Sequence, residues 1–381
     1  MNLQKRESSV RILSVEFNPL TERFFMILTP PQNCKQNPSK DEKMTQIYET
    51  MYELSGMDLD LENSIALSDV SERDKTWDTH RACTQDVAQM YAQDPQFKRI
   101  SERMGSCSAW LQFSFADGFK LQSANFCRVR NCPVCQWRKS LYWKAMMYKT
   151  YDRLKAEYPT HRWLFLTLTL ENPPIGDLRA TLDTMHKAWR KLVKRKEFAL
   201  VDGWIRTTEV TRDAQRPNTH AHPHYHAILL VKPSYFKGGN YVKHMDWVRI
   251  WGDCLGVSYL PNVDIRSVKP KNGDDSKLRG VIAETLKYAV KPSDMLGDGS
   301  QNAHAWFLEY SKQVHKLRFV ASGGTLKNAL KDDEKLTNAD MVHTSQDDPQ
   351  SEQERSTDAR RLNFTFYPKR RAYVYNPKHN E

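Results

Sequence analysis

The stretch that decides the fold is His222-Pro223-His224-Tyr225-His226, which continues directly into the apolar run Ala227–Val231. Side chains alternate between the two faces of a β-strand, so the three histidines would point the same way on a strand whose far end is buried. Two or three imidazoles on one face of a rigid strand form a ready metal site. The alternative is a histidine tract without function, which this spacing and the entry into an apolar strand disfavour.

A carboxylate can join these imidazoles if the preceding strand, Gly203–Thr211, forms a hairpin with the histidine strand. Glu209 lies near the middle of that preceding strand. Two histidines and one carboxylate suit Mg²⁺, Mn²⁺ or Zn²⁺ and leave positions open for substrate oxygens. We therefore predict His224 and His226 as the core pair of ligands, with Glu209 or His222 as the third. Glu209 could equally be an ordinary strand carboxylate.

The surrounding segments alternate between β and α patterns. Trp163–Leu170 reads as a strand, an amphipathic helix follows over Asp177–Glu197, and a strand over Val263–Val268 comes after a further helix at Val242–Leu255. The order β-α-β-β-α-β-α predicts an α+β fold with helices flanking a mostly antiparallel central sheet. The first helix carries its apolar residues on one stripe, formed by Leu178, Leu182, Met185, Trp189 and Leu192.

A second group of reactive residues lies on the predicted helix Lys277–Lys291, which Pro292 ends. Glu284 and Tyr288 are at i and i+4 on one helix face, and Lys291 follows one turn later. A tyrosine can be a covalent nucleophile for a phosphate, a glutamate can be a general base for water, and a lysine can stabilise phosphate charge. Without the histidines, a plain amphipathic helix would be the simpler interpretation.

The cysteines of residues 107–135 form a third candidate site. Cys127, Cys132 and Cys135 have the tight spacing of metal ligands, and Cys107 lies upstream to complete a set of four. This pattern predicts a structural Zn²⁺, with buried thiols as the alternative. The flanking basic residues favour contacts with phosphates and are Arg128, Arg130, Arg138 and Lys139.

Charge and composition favour a nucleic-acid partner. The 381 residues carry a net charge of +11, and because residues 332–360 hold nine acidic and three basic side chains, the remainder carries +17. Such a basic chain, rich in Trp and Tyr, suits a polyanion. The N-terminus lacks the apolar core of a signal peptide, and no run approaches the ~18 apolar residues of a membrane span. We therefore expect a cytoplasmic protein with no membrane partner.

The sequence divides into five predicted regions. An N-terminal polar and helical extension is followed by a cysteine-rich, zinc-binding-like element with a basic helix. A catalytic domain comes next, and an acidic linker predicted to be disordered separates it from a C-terminal tail. The boundaries are 1–105, 106–160, 161–330, 331–360 and 361–381.

Taken together, the motifs resemble those of the rolling-circle plasmid replication initiators of the HUH (His-hydrophobic-His) endonuclease superfamily. Within it, the chain is similar to the large Gram-positive-type initiators that use a single catalytic tyrosine plus a glutamate. Leu166–Thr169 resembles the first motif, His222–His226 the metal motif, and Glu284–Lys291 the tyrosine motif. Asn125–Arg138 resembles the cysteine-rich region of the family. The resemblance spans about residues 107–325, and the ends lie outside it.

This resemblance implies an HUH-endonuclease-like fold and a reaction. Tyr288 would attack a phosphodiester at the double-strand origin, form a 5′-phosphotyrosine link and leave a 3′-OH primer. Mg²⁺ or Mn²⁺ at His224 and His226 would polarise the scissile phosphate, and Glu284 would activate the water that ends the cycle. Lys287 would contact DNA. The implied partners are origin DNA extruded as a single-stranded hairpin, a host helicase and a DNA polymerase, and a homodimer is compatible with the family.

Two other functions remain open. A single-tyrosine HUH transposase or relaxase shares the chemistry, although the cysteine block and the Glu-x3-Tyr spacing favour the initiator. A non-catalytic, zinc-dependent DNA-binding regulator would explain the cysteines and the charge. It would not explain the three histidines or Tyr288.

Overall fold

The computed structural model describes residues 14–18, 23–27, 64–115, 119–268, 276–287, 290–330, 335–344 and 360–376. Its contacts divide the chain into two compact units. The first comprises residues 1–84, 105–126 and 350–381, and the second comprises residues 85–104 and 127–349. Within the described residues, no helix is long and apolar enough to cross a membrane.

A five-stranded sheet forms the centre of the second unit. Its strands are β5 (Arg162–Thr169), β6 (Val201–Arg212), β7 (Ala221–Val231), β8 (Val263–Val268) and β9 (Val320–Gly324). They lie in the order β8-β5-β7-β6-β9, and every neighbouring pair is antiparallel. The predicted α+β fold with a central antiparallel sheet flanked by helices is confirmed.

Helices cover both faces of this sheet, which explains why β5 and β7 are buried at nearly every position. On one face, Phe165 of β5 and Ile228 of β7 share a core with Met147 of α4 (Pro133–Glu157) and Ile282 of α7 (Ser276–Thr285). On the other face lie α5 (Leu178–Leu192) and α6 (His244–Leu255). The predicted apolar stripe of α5 is buried along its whole length.

The remaining helices have between four and 17 residues. They are α1 (Leu67–Val70), α2 (Thr76–Ala92), α3 (Lys98–Gly105), α8 (Pro292–Leu296), α9 (Gln301–Gln313) and α10 (Asn338–Val342). Single turns of 3₁₀-helix lie at Glu72–Lys75, Pro95–Phe97, Ile175–Asp177, Lys196–Phe198, Pro233–Phe236 and Gly238–Asn240.

The first unit holds two further sheets. Strands β1 (Ser14–Asn18) and β2 (Arg23–Ile27) form an antiparallel pair. A four-stranded antiparallel sheet has the order β11-β10-β3-β4 and is built from β3 (Trp110–Phe115), β4 (Phe119–Ala124), β10 (Arg360–Tyr367) and β11 (Ala372–Tyr375). Strand β10, which lies almost wholly in the predicted C-terminal tail, thus pairs with β3, more than two hundred residues earlier in the chain. Of the predicted acidic linker, the described residues are 335–344 and 360, and they include α10.

Candidate metal centre

The antiparallel register of β6 and β7 brings the predicted metal ligands together. Glu209 pairs with His224 and Thr207 pairs with His226. Because side chains alternate along each strand, Glu209, His224 and His226 project from one face of the sheet. Tyr225, between the two histidines, projects from the opposite face, where the guanidinium of Arg206 lies 4.1 Å from its ring centroid.

One carboxylate oxygen faces both imidazoles. Oε2 of Glu209 lies 3.0 Å from Nε2 of His224 and 3.0 Å from Nε2 of His226. The candidate ligand atoms of these three residues all lie within 4.8 Å of one another, and all three residues are buried. Oε1 of Glu209 is buried with no hydrogen-bond partner among the described residues.

Neighbouring groups orient each imidazole. Nδ1 of His224 lies 3.2 Å from the carbonyl oxygen of His222, and Nδ1 of His226 lies 3.2 Å from Oγ1 of Thr167. The ring of Phe165 stacks on His226 with centroids 5.5 Å apart. Since a carbonyl can only accept, Nδ1 of His224 is the donor in this contact, and Nε2 is the ring atom that faces the carboxylate. A carboxylate oxygen and an imidazole nitrogen at 3.0 Å need a proton or a cation between them, and two such nitrogens around one oxygen form a donor set that fits a divalent metal.

Burial and hydrogen bonds together set the pKa values of the carboxylate and of the His226 imidazole. Burial alone would raise the pKa of Glu209, but hydrogen bonds from His224, His226 and Lys287 outweigh it and hold that pKa well below its usual range. Burial lowers the pKa of the His226 imidazole, and the hydrogen bond to Glu209 opposes this effect only in part. An ionised carboxylate beside a neutral imidazole is the state that binds metal.

A second carboxylate and a lysine border the site. Nζ of Lys287 lies 2.9 Å from Oε2 of Glu209 and 2.5 Å from Oε1 of Glu284. The same Glu284 oxygen lies 3.9 Å from Nε2 of His226. Burial would lower the pKa of Lys287, but its hydrogen bonds to Glu284 and Glu209 raise it overall. Glu284 is exposed at the surface beside the buried cluster.

The helix that carries Glu284 is shorter than predicted. It was expected to continue to Lys291, but α7 ends at Thr285, and Lys291 is the exposed N-cap of α8. Oγ1 of Thr207 donates a 2.6 Å hydrogen bond to the carbonyl of Thr285, which fastens the end of α7 to the sheet beside Glu209. Tyr288, the predicted nucleophile, lies outside the described residues.

His222 stands apart from the three-residue cluster. Its Nδ1 lies 2.7 Å from Oδ1 of Asn172, and Nδ2 of Asn172 donates a 2.6 Å hydrogen bond to Oδ2 of Asp213. The rings of His222 and His224 are 5.0 Å apart. Of the two predicted candidates for the third ligand, the structure brings Glu209 into the cluster.

The residues that support the imidazoles were not predicted as part of the site. Asn172 and Asp213 carry no local signal, because they meet His222 only after the strands pair. Thr167 was detectable, because it alternates with Phe165 and Thr169 on the strand of the first motif and pairs with His226.

Three of the four predicted zinc ligands lie together in the second unit. The candidate ligand atoms of Cys127, Cys132 and Cys135 lie within 4.8 Å of one another, and the sulfurs of Cys127 and Cys135 are 3.7 Å apart. The backbone N–H of Val129 points at Sγ of Cys127 at 3.5 Å. This compact sulfur donor set fits Zn²⁺. Cys107 is buried in the first unit, and its place as the fourth ligand stays a prediction.

The basic residues near these cysteines differ in their surroundings. Arg128 is exposed and bonds to Oδ1 of Asn338 at 3.1 Å. The guanidinium of Arg130 lies 4.9 Å from the ring centroid of Phe319. Arg138 and Lys139 are buried, and Arg138 donates hydrogen bonds to the carbonyls at the end of α10, those of Met341 at 2.7 Å and Val342 at 2.8 Å. Their DNA contacts stay a prediction.

Comparison with known proteins points to one family. Residues 118–374 match a family model described as "Replication protein". The chain is similar to "Protein rep" of Streptococcus pneumoniae serotype 2, with 33% identity over 282 residues, which cover 72% of this chain and 85% of that protein. It is also 35% identical over 269 residues to "Protein rep" of Lactiplantibacillus plantarum, which covers 68% and 83% of the two chains. A "Replication protein" of Staphylococcus aureus is 33% identical over 51% of this chain and 84% of its own. No solved structure matches the chain.

Proposed function

The chain belongs to the replication protein family, as its motifs predicted, and we propose that it starts rolling-circle replication of a plasmid by nicking and rejoining one strand at the double-strand origin. The observation that carries this proposal is the meeting of Glu209, His224 and His226 around one buried carboxylate oxygen. Glu284 and Lys287 lie beside them. A site with two imidazoles and one carboxylate is suited to phosphodiester chemistry.

In this proposal, Glu209, His224 and His226 would hold Mg²⁺ or Mn²⁺. When bound, the cation supplies positive charge that polarises the scissile phosphate. The carbonyl of His222 and the hydroxyl of Thr167 hold the two imidazoles so that each directs Nε2 at the centre. His222 lies at the border of the site, where Asn172 orients it, and it is the outer candidate for a ligand.

Tyr288 is the proposed nucleophile. Its phenolic oxygen forms a bond to phosphorus, the bond from phosphorus to the 3′-oxygen breaks, and the phenol's proton is lost as the 3′-oxygen gains one. The products are a 5′-phosphotyrosine and a 3′-OH primer. Lys291, exposed at the start of α8, is proposed to stabilise the charge of the phosphate.

Glu284 is the proposed general base that ends the cycle. It would take a proton from a water whose oxygen bonds to phosphorus at the regenerated origin while the bond from that phosphorus to the 3′-oxygen breaks. The freed 3′-OH would then attack the phosphotyrosine, and Tyr288 would leave as the strand is rejoined. Its exposed position next to the buried cluster is compatible with this role, since water can reach it. A single tyrosine assisted by a glutamate makes the second cleavage hydrolytic, so that no second covalent link to the enzyme forms.

The cysteine set is proposed to bind a structural Zn²⁺, and the basic residues around it, foremost the exposed Arg128, to contact phosphates of the origin. A host helicase and a DNA polymerase are the expected partners from the family resemblance. The family match favours an initiator over a transposase or relaxase of the same chemistry.

A covalent-adduct assay tests the proposal. A labelled single strand carrying the double-strand origin of the plasmid that encodes the protein is incubated with the full chain and Mn²⁺, and the products are separated under denaturing conditions. We expect a protein–DNA adduct that disappears in Tyr288→Phe and persists in Tyr241→Phe, a matched change at an exposed tyrosine. An adduct that survives in Tyr288→Phe would show that another residue is the nucleophile.

A further inference from the structure

The ammonium of Lys287 pairs with the carboxylate oxygen of Glu209 that a metal would also bind. Its ammonium lies 2.9 Å from Oε2 of Glu209, and this oxygen also faces Nε2 of His224 and of His226. The side chain of Glu209 is 2% exposed and that of Lys287 is 21% exposed. A buried carboxylate is stable only when its charge is compensated, and Lys287 provides the nearest cation among the described residues.

A metal ion and the Lys287 ammonium cannot both bind Oε2 of Glu209 strongly. A divalent cation held by Oε2 and the two imidazoles would share that oxygen with the positive charge of Lys287. Like charges at such short range repel strongly in a site with little water. The lysine must therefore leave Glu209 when a metal binds.

Glu284 is a second ion-pair partner of the Lys287 ammonium. Nζ of Lys287 is 2.5 Å from Oε1 of Glu284, three positions earlier in the chain. The side chain of Glu284 is 46% exposed, so this carboxylate can follow the lysine toward solvent. The lysine can thus leave the buried carboxylate without losing an ion-pair partner.

We propose that Lys287 is a positioning residue that neutralises Glu209 in the metal-free enzyme and yields the carboxylate to the incoming metal while it keeps its ion pair with Glu284. Lys287 directly precedes Tyr288 in the chain, so the exchange links metal occupancy to the segment that carries the proposed nucleophile. This inference rests on the metal site of the proposed function. It assigns Lys287 a role within the protein, in place of the DNA contact implied by the family resemblance.

Mn²⁺ affinity of the full-length protein, measured by titration calorimetry in the absence of DNA, tests the exchange. Lys287→Met removes the competing charge and should tighten Mn²⁺ binding by about tenfold or more. Glu284→Gln removes the second ion-pair partner of Lys287 and should weaken Mn²⁺ binding. In the double variant, Glu284→Gln should have no further effect, because no ammonium remains to be held. Lys277→Met, a charge removal at an exposed position of the same helix, should leave the affinity unchanged.

Three results would decide against the exchange. One is an unchanged affinity in Lys287→Met while wild-type binding still depends on His224. A second is weakening by Glu284→Gln that persists in the Lys287→Met background, since Glu284 would then be a ligand itself. The third is weaker binding in both Lys287→Met and Lys287→Gln, the latter being a polar replacement in case the former misfolds. If His224→Ala binds Mn²⁺ as well as the wild type does, the proposed metal site fails instead.

Discussion

Glu209 and His224 lie directly opposite each other in the β6–β7 ladder, with Oε2 of the carboxylate 3.0 Å from Nε2 of the imidazole. A hairpin register that is fixed by pairing along eleven positions of β7 sets this contact. A shift of one residue would move Glu209 to the other face of the sheet, because side chains alternate with a period of two. The candidate metal site therefore depends on strand register rather than on loop conformation.

His224→Gln and Glu209→Gln should each weaken Mn²⁺ binding by more than about tenfold, since each removes one of the three proposed ligands. Tyr225→Phe is the matched control. It lies between the two histidines in sequence, but its side chain belongs to the opposite face, against Arg206. Its Mn²⁺ affinity should equal that of the wild type. Titration of the purified proteins with Mn²⁺ gives the affinities, and a loss of binding in Tyr225→Phe would contradict the assignment of faces.

Thr207→Val should loosen the end of α7 without removing a metal ligand. The change deletes the 2.6 Å hydrogen bond to the carbonyl of Thr285 and keeps the side-chain shape. Loss of this buried bond should cost about 1 kcal/mol or more of unfolding free energy. We also expect a lower nicking rate with unchanged origin affinity, because Lys287 and Tyr288 follow the loosened end. Equal nicking rates in Thr207→Val and wild type would show that this tether does not position the segment.

Cys132→Ser should remove bound zinc and destabilise the fold around it, since three sulfur ligands lie together there. Elemental analysis of the purified protein should give about one zinc per chain in the wild type and much less in the variant. Cys254→Ser is the control, because Cys254 is buried on α6 and belongs to no ligand group found among the described residues. Equal zinc contents in Cys132→Ser and wild type would contradict the assignment.

The sequence predicted the parts of the site that depend on local pattern. The alternation of His222–His226 indicated a strand with two facing imidazoles, and the apolar spacing of α5 indicated its buried stripe. Glu209 could be placed near the histidines because a hairpin leaves few arrangements. The early end of α7 at Thr285 and the contact of Lys287 with Glu209 could not be predicted, because both arise from bonds to β6.

The four-stranded sheet of the first unit was beyond prediction for a different reason. Strand β3 pairs with β10, which lies about 250 residues later, and no local pattern identifies such a partner. The surroundings of Arg138 could not be predicted either. Its position beside the cysteines indicated a phosphate contact, whereas in the fold its guanidinium is buried and bonds to the carbonyls of Met341 and Val342.

Variants of the two arginines should separate structural from DNA-binding roles. Arg138→Met should lower the free energy of unfolding by about 2 kcal/mol or more, since it breaks two hydrogen bonds from a charged, buried donor. The salt dependence of origin binding should not change. Arg128→Gln, at an exposed position, should leave stability unaltered. It should reduce by about one the slope of the logarithm of the origin-binding constant against the logarithm of salt concentration. A reduced salt dependence of origin binding in Arg138→Met would instead show that Arg138 contacts DNA.

Asp78→Asn should stabilise the protein at alkaline pH. Burial raises the pKa of Asp78 to about 6, although the backbone N–H of Tyr373, 2.7 Å from Oδ1, opposes the shift. A carboxyl whose pKa is higher in the folded state favours folding while protonated, and this contribution is lost as the pH rises through 6. Asparagine accepts the same hydrogen bond without a charge. The variant should therefore gain about 1–2 kcal/mol over the wild type at pH 8, and the gain should shrink toward pH 4. Urea unfolding at the two pH values measures the difference, and a gain that is independent of pH would show that the charge of Asp78 is not its source.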